Sequence, residues 1–329
     1  MKIFNIVQKY KRLSAVLLLG LIFQAGMVEA ASAPLTVGVL IPGSKSDHGW
    51  MESGYNGLKK AEARFGDKIK VKYIENVGFG EMEQALVALA SKNMLVIGVG
   101  GQTQASVMKV AKKFRNVKFA IIGGSDEGPK PNVAQYDVRQ SEIAFVAGAA
   151  AAMMSKTGAI SYVGGMEIPA IVNAGKEFGN GAKYINPKIK YFEAYTGDFD
   201  DVVKAKEATL AAINQGADIH YNILNLGVRG MEQAAREKGT HMIGSYTNYC
   251  GSDPLYIAYT ITGVGYQIEY TIAQLVAGTW KPEEKPFGLA MGRNASDLVI
   301  CGEVPRSIRA KILQIEHDIL TGKIKTLGS

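Results

Sequence analysis

The chain alternates short runs of Val, Ile and Leu, bounded by glycine, with amphipathic stretches of helical length, and it does so twice. Residues 36–42 (TVGVLIP), 70–77, 94–100 (MLVIGVG) and 118–124 (KFAIIGG) read as strands, with helices at 51–65, 81–92 and 103–114 between them. A strand that is apolar at nearly every position is covered on both faces, and helical crossovers join parallel neighbours. The pattern therefore predicts a parallel sheet with helices on both sides. It restarts at 133–138. A helix at 142–154 is followed by strands at 159–166 (AISYVGGM), 188–195, 218–224 and 241–246 (HMIGSY), separated by helices at 171–185, 202–215 and 228–238. The tail differs, with a strand near 256–262, a helix at 264–277, strand-like segments between 287 and 301, and a helix from Pro305. Two arrays of similar length predict two doubly wound α/β domains, and 329 residues suit two domains of about 150 each. No Pro/Ser-rich linker separates them, so several short crossovers are expected rather than beads on a string.

The first residues follow a different logic. Lys2, Lys9, Lys11 and Arg12 form a basic region, residues 13–23 an apolar one, and small-residue cleavage patterns follow at Val28-Glu29-Ala30 and Ala31-Ser32-Ala33. That is the pattern of a secretory signal peptide, expected over residues 1–33, and the apolar run is shorter than the roughly 20 residues of a membrane span. The second pattern is the weaker, because Pro34 would follow the cut. No cysteine lies near the cleavage region, so a soluble product in the periplasm or outside the cell is expected. The formal charge of +7 falls to +4 once the four basic residues and Glu29 are removed. The remaining charges are mixed in sign, without a basic block interleaved with aromatics, so nucleic acid is not an expected partner. Cys250 and Cys301 are the two cysteines. In an oxidising compartment they either bridge or lie as two buried thiols.

Catalytic constellations are missing. His48, His220, His241 and His317 are not paired at metal-ligand spacing, and there is no P-loop, no GxGxxG after the first strand and no GxSxG. Neither an enzyme nor a cofactor is expected. In open α/β sheets, ligands bind beyond the carboxyl ends of the strands. The loops that matter are 43–50, 100–103, 123–128, 137–141, 164–169, 196–201, 224–227 and 245–253. In the first, Asp47 is either an acceptor for a ligand or a helix cap, and Trp50 offers a flat surface with one N–H donor. Phe199, in 196–201, is a second ring that could cover the other face of a flat ligand, or a hydrophobic staple for the next helix. Asn222 and Asn225 close an inward strand and could donate or accept. Asp137, Arg139 and Glu142 sit near the first crossover, where salt bridges between the domains are the competing role. Gly101, Met166 and Tyr246 stand in three more of these loops and complete the candidate ligand-binding set.

Several segments together resemble one family. Ser46-Asp47-His48-Gly49-Trp50, 142–148 (EIAFVAG), 161–166 (SYVGGM) and 195–207 (YTGDFDDVVKAKE) are similar, in order and spacing, to motifs of the basic membrane protein family of ABC-transporter substrate-binding proteins. That family includes purine nucleoside receptor lipoproteins, and the resemblance runs from about residue 35 to 324. It implies a type I periplasmic-binding fold with three crossovers. The first lobe would hold 34–138 and 250–281, the second 139–249 and 282–329. It also implies that Trp50 and Phe199 stack on a base and that Asp137 lies beside it. Tyr246 stands where relatives carry an Asp that holds ribose hydroxyls. The ligand implied is a purine nucleobase or nucleoside, the partner a membrane permease of an importer, and the protein is expected to act as a monomer. A sensing role, an enzyme on a similar fold, or a sugar or amino-acid ligand are the other readings.

Overall fold

The computed structural model describes residues 33–124, 128 and 130–327, so the expected export signal lies outside the described residues except for Ala33. Strands β1 (Leu35–Ile41), β2 (Ile69–Glu75), β3 (Leu95–Val99), β4 (Lys118–Ile122) and β5 (Val133–Val138) alternate with helices α1 (Trp50–Phe65), α2 (Met82–Ala90) and α3 (Gln104–Lys113). Helix α4 (Gln140–Met154) opens the second array. It contains β6 (Ala159–Gly164), α5 (Pro169–Ile185), β7 (Lys190–Tyr195), α6 (Val202–Asn214), β8 (Ile219–Ile223), α7 (Val228–Lys238) and β9 (His241–Ser245). Then come β10 (Tyr256–Ile261), α8 (Val264–Val276), β11 (Glu284–Phe287), β12 (Asp297–Ile300) and α9 (Arg306–Leu320).

Two six-stranded sheets result, in the orders β11-β5-β4-β3-β1-β2 and β12-β10-β9-β8-β6-β7. Every pairing is parallel except β12 on β10. The central strands β3, β6 and β8 are buried at every position, as expected for strands covered on both faces. Both sheets carry helices on their faces, which is the type I solute-binding architecture.

The chain crosses between sheets three times: from β5 to α4, from β10 to α8, and from β11 to β12. These crossings correct the expected lobe limits. Residues 250–281 were assigned to the first lobe, but β10 pairs with β9 and β12 in the second sheet. Only α8, which packs on α1, belongs with the first. The first sheet's last strand, β11, then reaches Phe287, beyond the expected return at Lys281. The pattern of β10, alternately buried and half-buried, marks a strand but does not say which sheet accepts it.

Helix α4 is buried nearly all round, because it lies between the second sheet and helices α5 and α9. Its contact with α5 depends on reciprocal glycines. A Cβ on Gly148 would lie 1.9 Å from the Phe178 carbonyl oxygen, and one on Gly181 1.9 Å from that of Phe145. At the third crossing, the Leu289 N–H donates to Glu142 Oε2 at 2.8 Å, tying the returning chain to α4. Cys250 and Cys301 are joined in a disulfide, with Cα atoms 4.8 Å apart. It fastens the loop after β9 to the chain just past β12.

Candidate functional site

The loop after β1 turns into α1 around a single carboxylate. Asp47 is 3% exposed and accepts from the backbone N–H groups of Gly49 (2.9 Å), Met51 (3.1 Å) and Glu52 (3.0 Å). These are donors that a helix start leaves without intrahelical partners. Burial pushes the Asp47 carboxyl upward, against those three hydrogen bonds. The residue therefore shapes the loop, in the helix-cap role considered for it. What the loop presents is Trp50, the first residue of α1.

The Trp50 ring lies on Gly123, which follows β4 at φ +73°. A Cβ there would come within 2.6 Å of the indole Cζ2. Gly101, at the end of β3, abuts the same floor, since its Cβ would be 2.9 Å from the Gly123 carbonyl oxygen. The second sheet repeats the device. The Phe199 ring lies over Gly165, which follows β6, and a Cβ there would meet the ring at 2.2 Å. Each aromatic residue thus rests on a glycine at the carboxyl end of a strand in its own sheet, where such folds keep their ligands.

Asn225 connects the two platforms. Its N–H donates to the Phe199 carbonyl at 3.0 Å, and its side-chain Oδ1 accepts from the Trp50 backbone N–H at 3.2 Å. A second bridge stands beside it, with Arg229 Nη2 donating to His48 Nε2 at 2.8 Å. Both join the loop after β1 to the segment after β8. The two lobes therefore meet directly at this mouth, with Trp50 and Phe199 on either side of Asn225.

Tyr246, just past β9, sits against Trp50 edge to face, with ring centroids 6.1 Å apart at 75°. Its hydroxyl accepts from Gln140 Nε2 at 3.4 Å, and burial pushes it well above the usual phenol range, so it stays protonated. Its backbone is left-handed, at φ +66°, and its N–H reaches the Thr260 carbonyl at 3.3 Å. Asp137, at the end of β5, pairs with Arg139 Nε at 3.0 Å, while its carbonyl accepts from Gln267 Nε2 at 3.5 Å. Burial raises the Asp137 carboxyl and Arg139 opposes that.

Four buried polar atoms in this neighbourhood have no protein partner: Trp50 Nε1, Gln140 Oε1, Thr262 Oγ1 and Gln267 Oε1. Leaving such atoms unpaired is costly; Gln140 bonds the Tyr246 hydroxyl, and Gln267 reaches the Asp137 carbonyl. Gln140, Thr262 and Gln267 were not among the expected residues. A single amide or hydroxyl near a helix start carries no sequence signature, although all three lie at crossings. Two expected residues stand apart. Asn222 is 1% exposed inside β8, where its amide reaches the Ile243 carbonyl at 3.4 Å and its carbonyl accepts from Ser245 Oγ at 2.6 Å. It is a strut of the sheet. Met166 is 47% exposed on the loop after β6 and lies on the rim. Grooves of about 240 and 310 Å³, along α2 and beside α6, touch none of the residues described above. No cluster of His, Cys, Asp and Glu able to hold a metal occurs among the described residues.

Two α/β lobes joined by three crossings have the architecture of type I solute-binding proteins. A solute-binding protein from Aeropyrum pernix K1 superposes with a TM-score of 0.79 at 22% identity, covering 90% of this chain and 94% of that one. Residues 35–293 match the family described as ABC transporter substrate-binding protein PnrA-like, and the chain belongs to that family. It is 28% identical over 274 residues to a purine-binding protein of Brucella abortus, covering 82% of this chain and 77% of that one. It is 26% identical over 252 residues to an ABC transporter nucleoside-binding protein of Lactococcus lactis, covering 70% of each chain.

Proposed function

We propose that this protein is the exported solute-binding component of an ABC importer and that it holds a purine-like heterocycle between its two lobes, with Trp50 on one face and Phe199 on the other. The observation that carries the reading is the pair of glycine-seated rings, one per lobe, whose backbones are both hydrogen-bonded to Asn225. The purine- and nucleoside-binding relatives point to the same ligand class. Closure follows from linkage: a ligand that touches both lobes only when they are together shifts the population toward the closed form. Base–aromatic stacking contributes about 1–3 kcal/mol per contact, so two stacks and a few hydrogen bonds reach micromolar affinity, about −8 kcal/mol. The closed form would then dock on a membrane permease, as a monomer and without a catalytic step.

A thermal-shift panel of nucleobases, nucleosides, sugars and amino acids tests this. A ligand that binds only the folded state raises the midpoint once its concentration exceeds its dissociation constant. Nucleobases or nucleosides should raise it and the other classes should not. Stabilisation by a sugar or an amino acid alone would refute the aromatic clamp.

A further inference from the structure

Arg229 is the second residue of α7, and its Nη2 donates to His48 Nε2 at 2.8 Å, from one lobe to the other. A guanidinium can only donate, so this nitrogen of His48 carries a lone pair. The proton of the ring is then on Nδ1, the atom 4.0 Å from Glu52 Oε2. A second proton, on Nε2, would remove the acceptor and set an imidazolium against a guanidinium. The place of Arg229 sharpens that conflict, because a cation in the first turn of a helix already opposes the helix dipole.

Both partners are held by their backbones. His48 is left-handed, at φ +57°, a region that His tolerates better than most residues, and its N–H donates to Glu52 Oε2 at 2.9 Å. The Arg229 N–H donates to the Leu226 carbonyl at 3.1 Å, and the Leu226 N–H to Asp200 Oδ1 at 3.0 Å. With 38% of its side chain exposed, the His48 ring exchanges protons with solvent directly. Most ionisable groups around the bridge are engaged. Asp47 accepts from three backbone N–H groups, Asp200 from Leu226, and Glu232 from the Tyr256 hydroxyl. The Tyr249 phenol is pushed upward by burial, with Glu232 and Glu52 adding to the effect, and stays neutral. Glu52 is the carboxylate beside the His48 ring, and it lies on the same lobe as His48. When the lobes part, Arg229 leaves the ring and Glu52 stays.

We propose that His48 and Arg229 form a proton-sensitive latch between the lobes, in which a neutral His48 favours the closed form and a protonated one favours the open form. Acidification then lowers the closed population and, by linkage, weakens any ligand that needs both lobes. His48 is a positioning residue, acting on the lobes rather than on the ligand. The latch rests on the two-lobe clamp proposed above, and not on the purine class of its ligand.

The test is isothermal titration with adenine, hypoxanthine, adenosine and inosine at pH 7.5 and pH 5.5, for the wild type, His48→Gln and Arg229→Met. Glutamine keeps an acceptor that does not titrate, and methionine removes the cation. Over this interval, in which imidazoles change charge, the wild-type dissociation constant for the tightest of the four ligands should rise about fivefold or more. In each variant it should change by less than about twofold. His220 and the ligand's own titration are common to all three proteins and cancel in the comparison. A wild-type affinity that does not change with pH, or variants that follow the wild type, would overturn the latch while leaving the clamp intact. If none of the four ligands binds, the purine reading fails, and small-angle scattering of the unliganded protein decides the latch. The radius of gyration should then grow on acidification in the wild type and stay constant in His48→Gln; no growth, or equal growth in both, would overturn it.

Discussion

Acidification should destabilise this protein through one histidine. His220 is fully buried in β8, with Nδ1 2.7 Å from Ser161 Oγ and Nε2 2.9 Å from Thr240 Oγ1. Burial lowers its pKa from the ordinary 6.5 to about 4, with Asp218 opposing and His241 adding to the effect. The fold therefore keeps the ring neutral while the unfolded chain protonates it. The stability this provides is complete above pH 6.5 and is lost as pH falls toward 4. Across the whole window the loss is about 3 kcal/mol, and between pH 7 and 5 it is about 2 kcal/mol. Asp47, Asp137, Glu142, Glu177 and Asp297 are raised by burial and act in the opposite sense, so the net curve of the wild type alone does not isolate the histidine. The comparison that does is urea unfolding, followed by circular dichroism, of wild type and His220→Gln at pH 7 and pH 5. The wild type should lose about 2 kcal/mol more than the variant over that interval. Equal losses in the two proteins would refute the reasoning.

Other expected outcomes follow from single contacts. Gly148→Val places a branched side chain against the Phe178 carbonyl, so the thermal midpoint should fall, by an amount equivalent to about 3 kcal/mol or more; a midpoint within a degree of wild type would contradict the packing of α4 on α5. Replacing Cys250 and Cys301 together by serine opens a loop closed over 51 residues and should cost about 4 kcal/mol in a reversible unfolding titration, with no such loss if the bridge is absent. Asn225→Ala removes the acceptor for the Trp50 N–H and should weaken ligand binding by about 1 kcal/mol, roughly fivefold, in calorimetry. That change should appear in the dissociation rate rather than in the unliganded midpoint.

Much of the fold was legible because its signals are local. Residues 94–100 and 159–166 are mostly apolar runs that reach glycine, and they became β3 and β6. The lobe limits were not, because β10 carries the periodicity of a strand while its choice of sheet is made by its pairing with β9 and β12, which its own pattern does not encode. The placement of Trp50, Phe199 and Asn225 just beyond strand ends was legible, because it follows from the strand limits themselves. The role of Asp47 could not be read, since a helix cap and a ligand acceptor use the same residue type in the same loop. Asn222 is buried in β8, with partners at Ile243 and Ser245, a setting its sequence position alone does not reveal. Gln140 and Gln267 lie at crossings, where their partners Tyr246 and Asp137 come from distant parts of the chain.

The clamp is tested most directly by calorimetric titration of a nucleobase or nucleoside into the wild type, Trp50→Ala and Phe199→Ala. Each substitution removes a stacking platform from a different lobe and should weaken binding by about 1–3 kcal/mol, roughly 5- to 150-fold, while the unliganded melting curve stays close to wild type. Affinity unchanged in either variant would contradict a ligand held between the two rings.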